Sequence, residues 1–187
     1  MKTRRAQRLR ALRSAGIGVV VAAALLGGAL LVGRSGETGV SFAGDLRAGG
    51  RLERLSLPSL EGGGRIDYPG SSDRALVLNF FASWCPNCIA EMPDFERVHK
   101  QLGDRVGFLG VSQSDARSAS IDLAHRTGIT YPTGIDSTGR FFNAWGTFAM
   151  PTTVFIRPGG TIAYVFAGGL DEGTLRELIE RHLGVTL

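Results

Sequence analysis

Seven residues, Ala75–Phe81 (ALVLNFF), are apolar except for Asn79 and run directly into Ala82-Ser83-Trp84-Cys85-Pro86-Asn87-Cys88. An apolar run so short and so continuous is expected of a central strand covered on both faces. Proline suits the first helical position, where its missing N–H would be unpaired anyway. The two cysteines therefore fall at the mouth of a helix that should extend from about Pro86 to Leu102, broken or bent at Pro93. A buried strand that hands over to a helix needs a layered α/β surrounding.

The remaining pattern supplies those layers. Val106–Val111 reads as a second buried strand, and Ala116–Thr127 as a helix ending at Gly128. Phe141–Trp145 fits a short helix. Thr152–Arg157 and Thr161–Phe166 flank the turn Pro158-Gly159-Gly160 and form a hairpin. Leu170–Leu183 closes as a helix, with Asp171 and Glu172 in its first turn and Gly184 just past its end. Upstream, Leu52, Leu55 and Leu57 precede Pro58, and Glu61–Arg65 turns before Ile66, which suggests an edge hairpin. The expected fold class is α/β, a mixed sheet flanked by helices.

The N-terminal part is of another kind. Residues 1–13 carry six basic side chains and no acid, whereas the rest holds 15 basic against 17 acidic residues. The net +4 thus belongs to a tail, and a nucleic-acid partner, which wants basic residues clustered on the folded body, is not expected. Ser14–Gly33 contains no charge over twenty residues, long enough as a helix of about 30 Å to cross a bilayer. Arginines before it and a single Arg34 after it predict a cytoplasmic N-terminus and an extracytoplasmic body. A cleaved signal peptide is the alternative, and it leaves the body exported too. Residues 34–50 hold five glycines and read as a flexible tether, with the folded domain expected over residues 51–187.

Cys85 and Cys88 are the only cysteines. Two intervening residues in a helical turn bring the sulfurs within bonding reach. At the helix N-terminus the dipole and unpaired backbone N–H groups favour thiolate at Cys85. That residue is then the exposed nucleophile, and Cys88, one turn inside, resolves the mixed disulfide. Half of a zinc site would need two more ligands, and His99, His125 and His182 are scattered. A structural disulfide gains little from so short a loop. A pair that carries Cu(I) is a rival reading, since soft thiolates suit that metal. No resident metal or cofactor is expected.

LVLNFFASWCPNCIAEMP, followed after an intervening stretch by GTFAMPTTVFIRPGGTIAYVFAG, resembles the thioredoxin superfamily. More narrowly it is similar to the TlpA/ResA/CcmG branch of membrane-tethered, extracytoplasmic thiol–disulfide oxidoreductases. The likeness covers roughly Leu52 to Leu183 and is specific at N-F-x-A-S-W-C-x-x-C, at E-x-P after the second cysteine, and at M-P-T-T. It implies a thioredoxin-like fold with two additions, an N-terminal hairpin at Leu52–Ile66 and a βα insert at Val106–Thr127. It also implies that Pro151 is a cis-proline facing the cysteines, and that Met150 offers backbone groups to an extended client. Trp84 and Pro86 would complete the client-binding surface. Glu91 matches an acidic residue that tunes the cysteines or relays protons, although a glutamate on an exposed helix face needs no such role.

Cytoplasmic thioredoxins carry a buried aspartate where this chain has Asn79. An asparagine cannot serve as a base, so the proton route falls to Glu91 or water. The resemblance implies protein clients with cysteine pairs, a membrane electron donor and a reductive role in cytochrome c or similar assembly. A disulfide-forming oxidase of the same fold is the alternative, since Pro86-Asn87 does not set the direction. A peroxiredoxin-like peroxidase is disfavoured by the second cysteine. Gly62-Gly63-Gly64 lacks the lysine of a phosphate loop, Asp136-Ser137-Thr138-Gly139 reads as a turn, and His125 as a surface residue.

Overall fold

The structure is a computed structural model that describes residues 39–147 and 149–186. Two sheets organise it. Strands β1 (Ser41–Asp45), β2 (Arg51–Pro58) and β3 (Arg65–Tyr68) form an antiparallel sheet in the order β1-β2-β3. The main sheet has the order β6-β5-β4-β7-β8, from β4 (Ala75–Phe81), β5 (Val106–Gln113), β6 (Thr133–Asp136), β7 (Thr152–Ile156) and β8 (Ile162–Ala167). β4, β5 and β6 run parallel, and β7 and β8 add antiparallel. The helices are α1 (Pro86–Leu102), α2 (Arg117–Thr127), α3 (Arg140–Asn143) and α4 (Glu172–Leu183).

All seven residues of β4 are buried, as the apolar run predicts for a strand covered on both faces. Alternation sends Leu76, Leu78 and Phe80 to one side, where they meet β2, Phe141, Phe142 and Trp145. Val77 faces the opposite layer with Phe95 and Val98 of α1 and Leu175, Leu178 and Ile179 of α4. Asn79 belongs to that second face, so a polar group sits beneath α1 in the centre of the sheet. Phe81, at the strand end, joins both cysteines, Met92, Leu123 and Ile135 in a third cluster under the helix mouth.

Several expectations are corrected. Residues 34–50 were expected to be a tether, but β1 lies inside them and pairs with β2, so folded structure starts well before Arg51. Its glycines have a structural cause: the register shifts at Ala43/Gly44, Gly44 has φ +135°, and a Cβ there would lie 2.0 Å from the Arg51 carbonyl oxygen. Helix α1 continues through Pro93, held by Met92, Phe95 and Val98 on its buried face. β5 is no peripheral insert, being paired with β4 on one side and β6 on the other. The short strand β6 went unread because Thr133-Gly134-Ile135-Asp136 has no apolar period. Gly134 instead permits close approach to β2, where an added Cβ would lie 2.8 Å from the Leu57 Cβ.

The charge-free stretch 14–33 and the tail before it lie outside the described residues. Among the described residues no helix is long and apolar enough to cross a membrane.

Candidate redox site at the mouth of helix α1

Cys85 and Cys88 are joined in a disulfide, with their Cα atoms 5.3 Å apart. Cys85 is the N-cap of α1 in extended conformation, and its sulfur accepts the Cys88 N–H at 3.2 Å. Its carbonyl accepts the Ile89 N–H, and its own N–H donates to Ala82. The Cys85 sulfur thus occupies the place where an N-cap oxygen would receive orphan donors, at the positive end of the helix. Cys88 is fully buried, and Cys85, expected to be exposed, is only 4% exposed because Phe81, Met92 and their neighbours pack around the helix mouth. Pro86 and Asn87 between them are open to solvent.

Glu91 follows Cys88 by three residues, hence on the same helix face. It is no surface residue. Only 2% of it is exposed, its Oε1 accepts Asn79 Nδ2 at 2.8 Å, and its Oε2 accepts the Leu170 N–H at 2.9 Å. Burial pushes its carboxyl up to about 7; the Leu170 and Asn79 donors oppose the rise and the charge of Asp94 adds a little to it. Asn79 also donates to Thr153 Oγ1 at 3.2 Å. The asparagine that cannot be a base therefore supports a carboxyl that can. Glu91 borders a cleft of about 240 Å³ whose walls include Asn87 and Gly169, so this buried group lies beside the C-x-x-C turn and next to solvent.

The Met150–Pro151 peptide bond is cis. Met150 is half-buried and packs on the cluster that contains both sulfurs. Among the described residues its backbone N–H and C=O have no hydrogen-bond partner. Trp84 is 55% and Ile89 38% exposed, the two large hydrophobic side chains open to solvent among the described residues. Both flank the disulfide. Ile89 was missed in the sequence, where an isoleucine inside a helix reads as core.

A second missed residue is Asp115. Its Oδ2 accepts the Ser83 N–H at 2.6 Å and its Oδ1 the Ser83 hydroxyl at 3.0 Å, across 32 residues of chain. An aspartate before a helix signals capping, and nothing in the sequence tells that its partner lies upstream. The other motifs settle as read: Asp136 accepts the Phe141 and Phe142 N–H groups at the turn into α3. His125 is exposed, with Nε2 2.8 Å from Glu61 Oε1. Among the described residues no cluster of His, Cys, Asp and Glu could hold a metal ion.

A layered fold with this disulfide at a helix mouth can be compared with known proteins. The profile of the AhpC/TSA family matches residues 49–165. The chain belongs to that family. Within it, the chain is 29% identical over 135 residues to the thiol-disulfide oxidoreductase ResA of Halalkalibacterium halodurans, spanning 72% of this chain and 76% of that one. The ResA of Geobacillus kaustophilus is 32% identical over 120 residues, 63% of this chain and 64% of that one. In fold, a secreted disulfide oxidoreductase of Mycobacterium tuberculosis superposes with a TM-score of 0.61 at 21% identity, covering 67% of this chain and 94% of that one. This family member has a thioredoxin-like fold and is a thiol–disulfide oxidoreductase of the ResA/DsbE type.

Proposed function

We propose that the protein reduces disulfides of extracytoplasmic clients, in cytochrome c or similar assembly, and is itself recharged by a membrane electron donor. The observation that carries exchange is the disulfide at the N-cap of α1 with the buried Glu91 carboxyl one turn along the same helix face, and the reductive direction follows the resemblance to the TlpA/ResA/CcmG branch. In the reduced protein the Cys85 thiolate attacks a client sulfur. The client S–S bond breaks, a Cys85–client disulfide forms, and one client thiolate leaves. The Cys88 thiolate then attacks the Cys85 sulfur, re-forming the intramolecular bond and releasing the second client thiolate. Two electrons pass to the client, and two protons follow to its thiolates.

Glu91 is the group suited to take the Cys88 proton, since its pKa lies close to working pH and the two residues share a helix face. A client held as an extended segment would pair with the backbone groups of Met150, unpaired among the described residues, beside cis-Pro151 and lie against Trp84, Pro86 and Ile89. The export of this domain rests on the basic tail and the charge-free stretch 14–33, with the N-terminus cytoplasmic.

Expression of the Cys88→Ser protein in its native host tests the reading, because the second step is blocked and Cys85 retains its partners. Mixed disulfides with exported cysteine-pair proteins and with a membrane electron donor are expected. Capture of a membrane oxidase with no reducing donor would overturn the reductive direction.

A further inference from the structure

Within the loop that carries the nucleophile, Ala82 to Cys85, both ends are packed under the helix mouth, and Ser83 between them is held by one side chain. Asp115 lies between β5 and α2, and both of its oxygens reach Ser83, one taking the backbone N–H and the other the hydroxyl. The same carboxylate accepts the Ala116 N–H at 2.8 Å and the Ser120 hydroxyl at 3.0 Å. Ser120 is fully buried and meets the buried Ser112 hydroxyl at 2.6 Å. A continuous hydrogen-bonded chain therefore runs from an interior strand through α2 to the residue two positions before Cys85.

Two further features set this apart from ordinary helix capping. The N-cap residue of α2, Ala116, supplies no side-chain cap, and the neighbouring carboxylate is shared between the start of α2 and another loop. Ser114, immediately before Asp115, is the single non-glycine residue with positive φ (48°) among the described residues. A strained backbone persists where the surroundings over-determine it, and here it precedes the turn that presents Asp115 to Ser83. Trp84, the next residue, is 55% exposed and so contributes little packing to hold the loop.

We propose that Asp115 is a positioning residue for thiol–disulfide exchange: through its fork on Ser83 it fixes the Ser83–Trp84 segment and hence the approach of a client to the Cys85 sulfur. The proposal rests on the reading of Cys85 as the attacking group. Asparagine can keep both links to Ser83, its Oδ1 accepting the Ser83 N–H and its Nδ2 donating to the Ser83 oxygen, at the cost of the Ala116 N–H bond to the replaced oxygen, while alanine removes all of them. Geometry then predicts a specific order of effects, because small misplacements of reacting groups are costly to rate.

The full chain with Asp115→Ala, Asp115→Asn and Ser83→Ala is compared with wild type in three measurements. These are the rate at which the reduced protein attacks a small aromatic disulfide, the pH profile of Cys85 alkylation in a Cys88→Ser background, and the anisotropy decay of Trp84 in a Trp145→Phe background. Asp115→Ala should react about tenfold more slowly with added Trp84 motion, Asp115→Asn should recover to within about threefold of wild type, and Ser83→Ala should lie between them. A folded Asp115→Ala protein with wild-type rate and unchanged Trp84 motion overturns the proposal. An Asp115→Asn protein that attacks faster than wild type also overturns it, because the charge rather than the fork would then be the acting property. Should Asp115→Ala not fold, Ser83→Ala decides: slower attack with a looser Trp84 supports the fork, and wild-type values on both refute it. Cys85→Ser is the control, since activity there would remove the reading of the nucleophile and not only the role of Asp115.

Discussion

Burial raises the Glu91 carboxyl to about 7, so between about pH 4.5 and 7 the folded protein holds a proton that the unfolded chain has released. In that window the native state binds more protons than the unfolded state, and stability falls as pH rises. The contribution is complete below about 4.5 and lost above about 7; a shift of this size corresponds to about 3 kcal/mol. Glu91→Gln removes the titration and leaves the other carboxylates in place. Urea unfolding of the two oxidised proteins at pH 4.5 and pH 8 should show wild type losing about 3 kcal/mol relative to the variant. Parallel pH profiles would mean that the carboxyl is not buried as described. At this scale the resemblance to the TlpA/ResA/CcmG branch singles out Glu91, but the sequence hides its depth, because burial depends on Leu170 and Asn79, residues distant along the chain. Asp115 is hidden altogether for the same reason.

At the scale of elements, what the sequence shows depends on whether a segment's apolar pattern arises within the segment. β4, α1 and α4 carry their own signal, in a continuous apolar run or in a capped periodic helix, and all three stand where the pattern puts them. β1 and β6 borrow theirs: each is short, glycine-bearing and stabilised by a neighbour. Phe42 of β1 illustrates it, its ring 5.1 Å from Phe141, which in turn packs on Phe80 and Trp145. Phe42 is half-buried, so Phe42→Ala should cost about 1–2 kcal/mol, below the usual range for a fully buried phenylalanine. Chemical unfolding measures this directly. A cost near zero would return residues 41–45 to the tether that composition suggests.

For the whole molecule, the fold class and the location of the redox turn are legible from strand, helix and cysteine spacing, whereas the start of the body and the interior place of β5 required the sheet order. Charge distribution carries the expectation of topology: six basic residues, then twenty without charge, then a body of nearly balanced charge. Protease added to spheroplasts should digest the body while the N-terminal tail stays protected. A body that survives until the membrane is lysed contradicts the exported orientation. The proposed function makes one chemical claim: Cys85 and Cys88 pass two electrons to a protein disulfide, with Cys85 attacking first. Acid-quenched mass spectrometry of the reduced protein mixed with an oxidised cysteine-pair protein follows that transfer directly. Wild type should form one intramolecular disulfide for each client disulfide lost, Cys88→Ser should stop as a mixed disulfide through Cys85, and Cys85→Ser should transfer nothing. Client reduction by Cys85→Ser at the wild-type rate, or a mixed disulfide held through Cys88, would contradict the account.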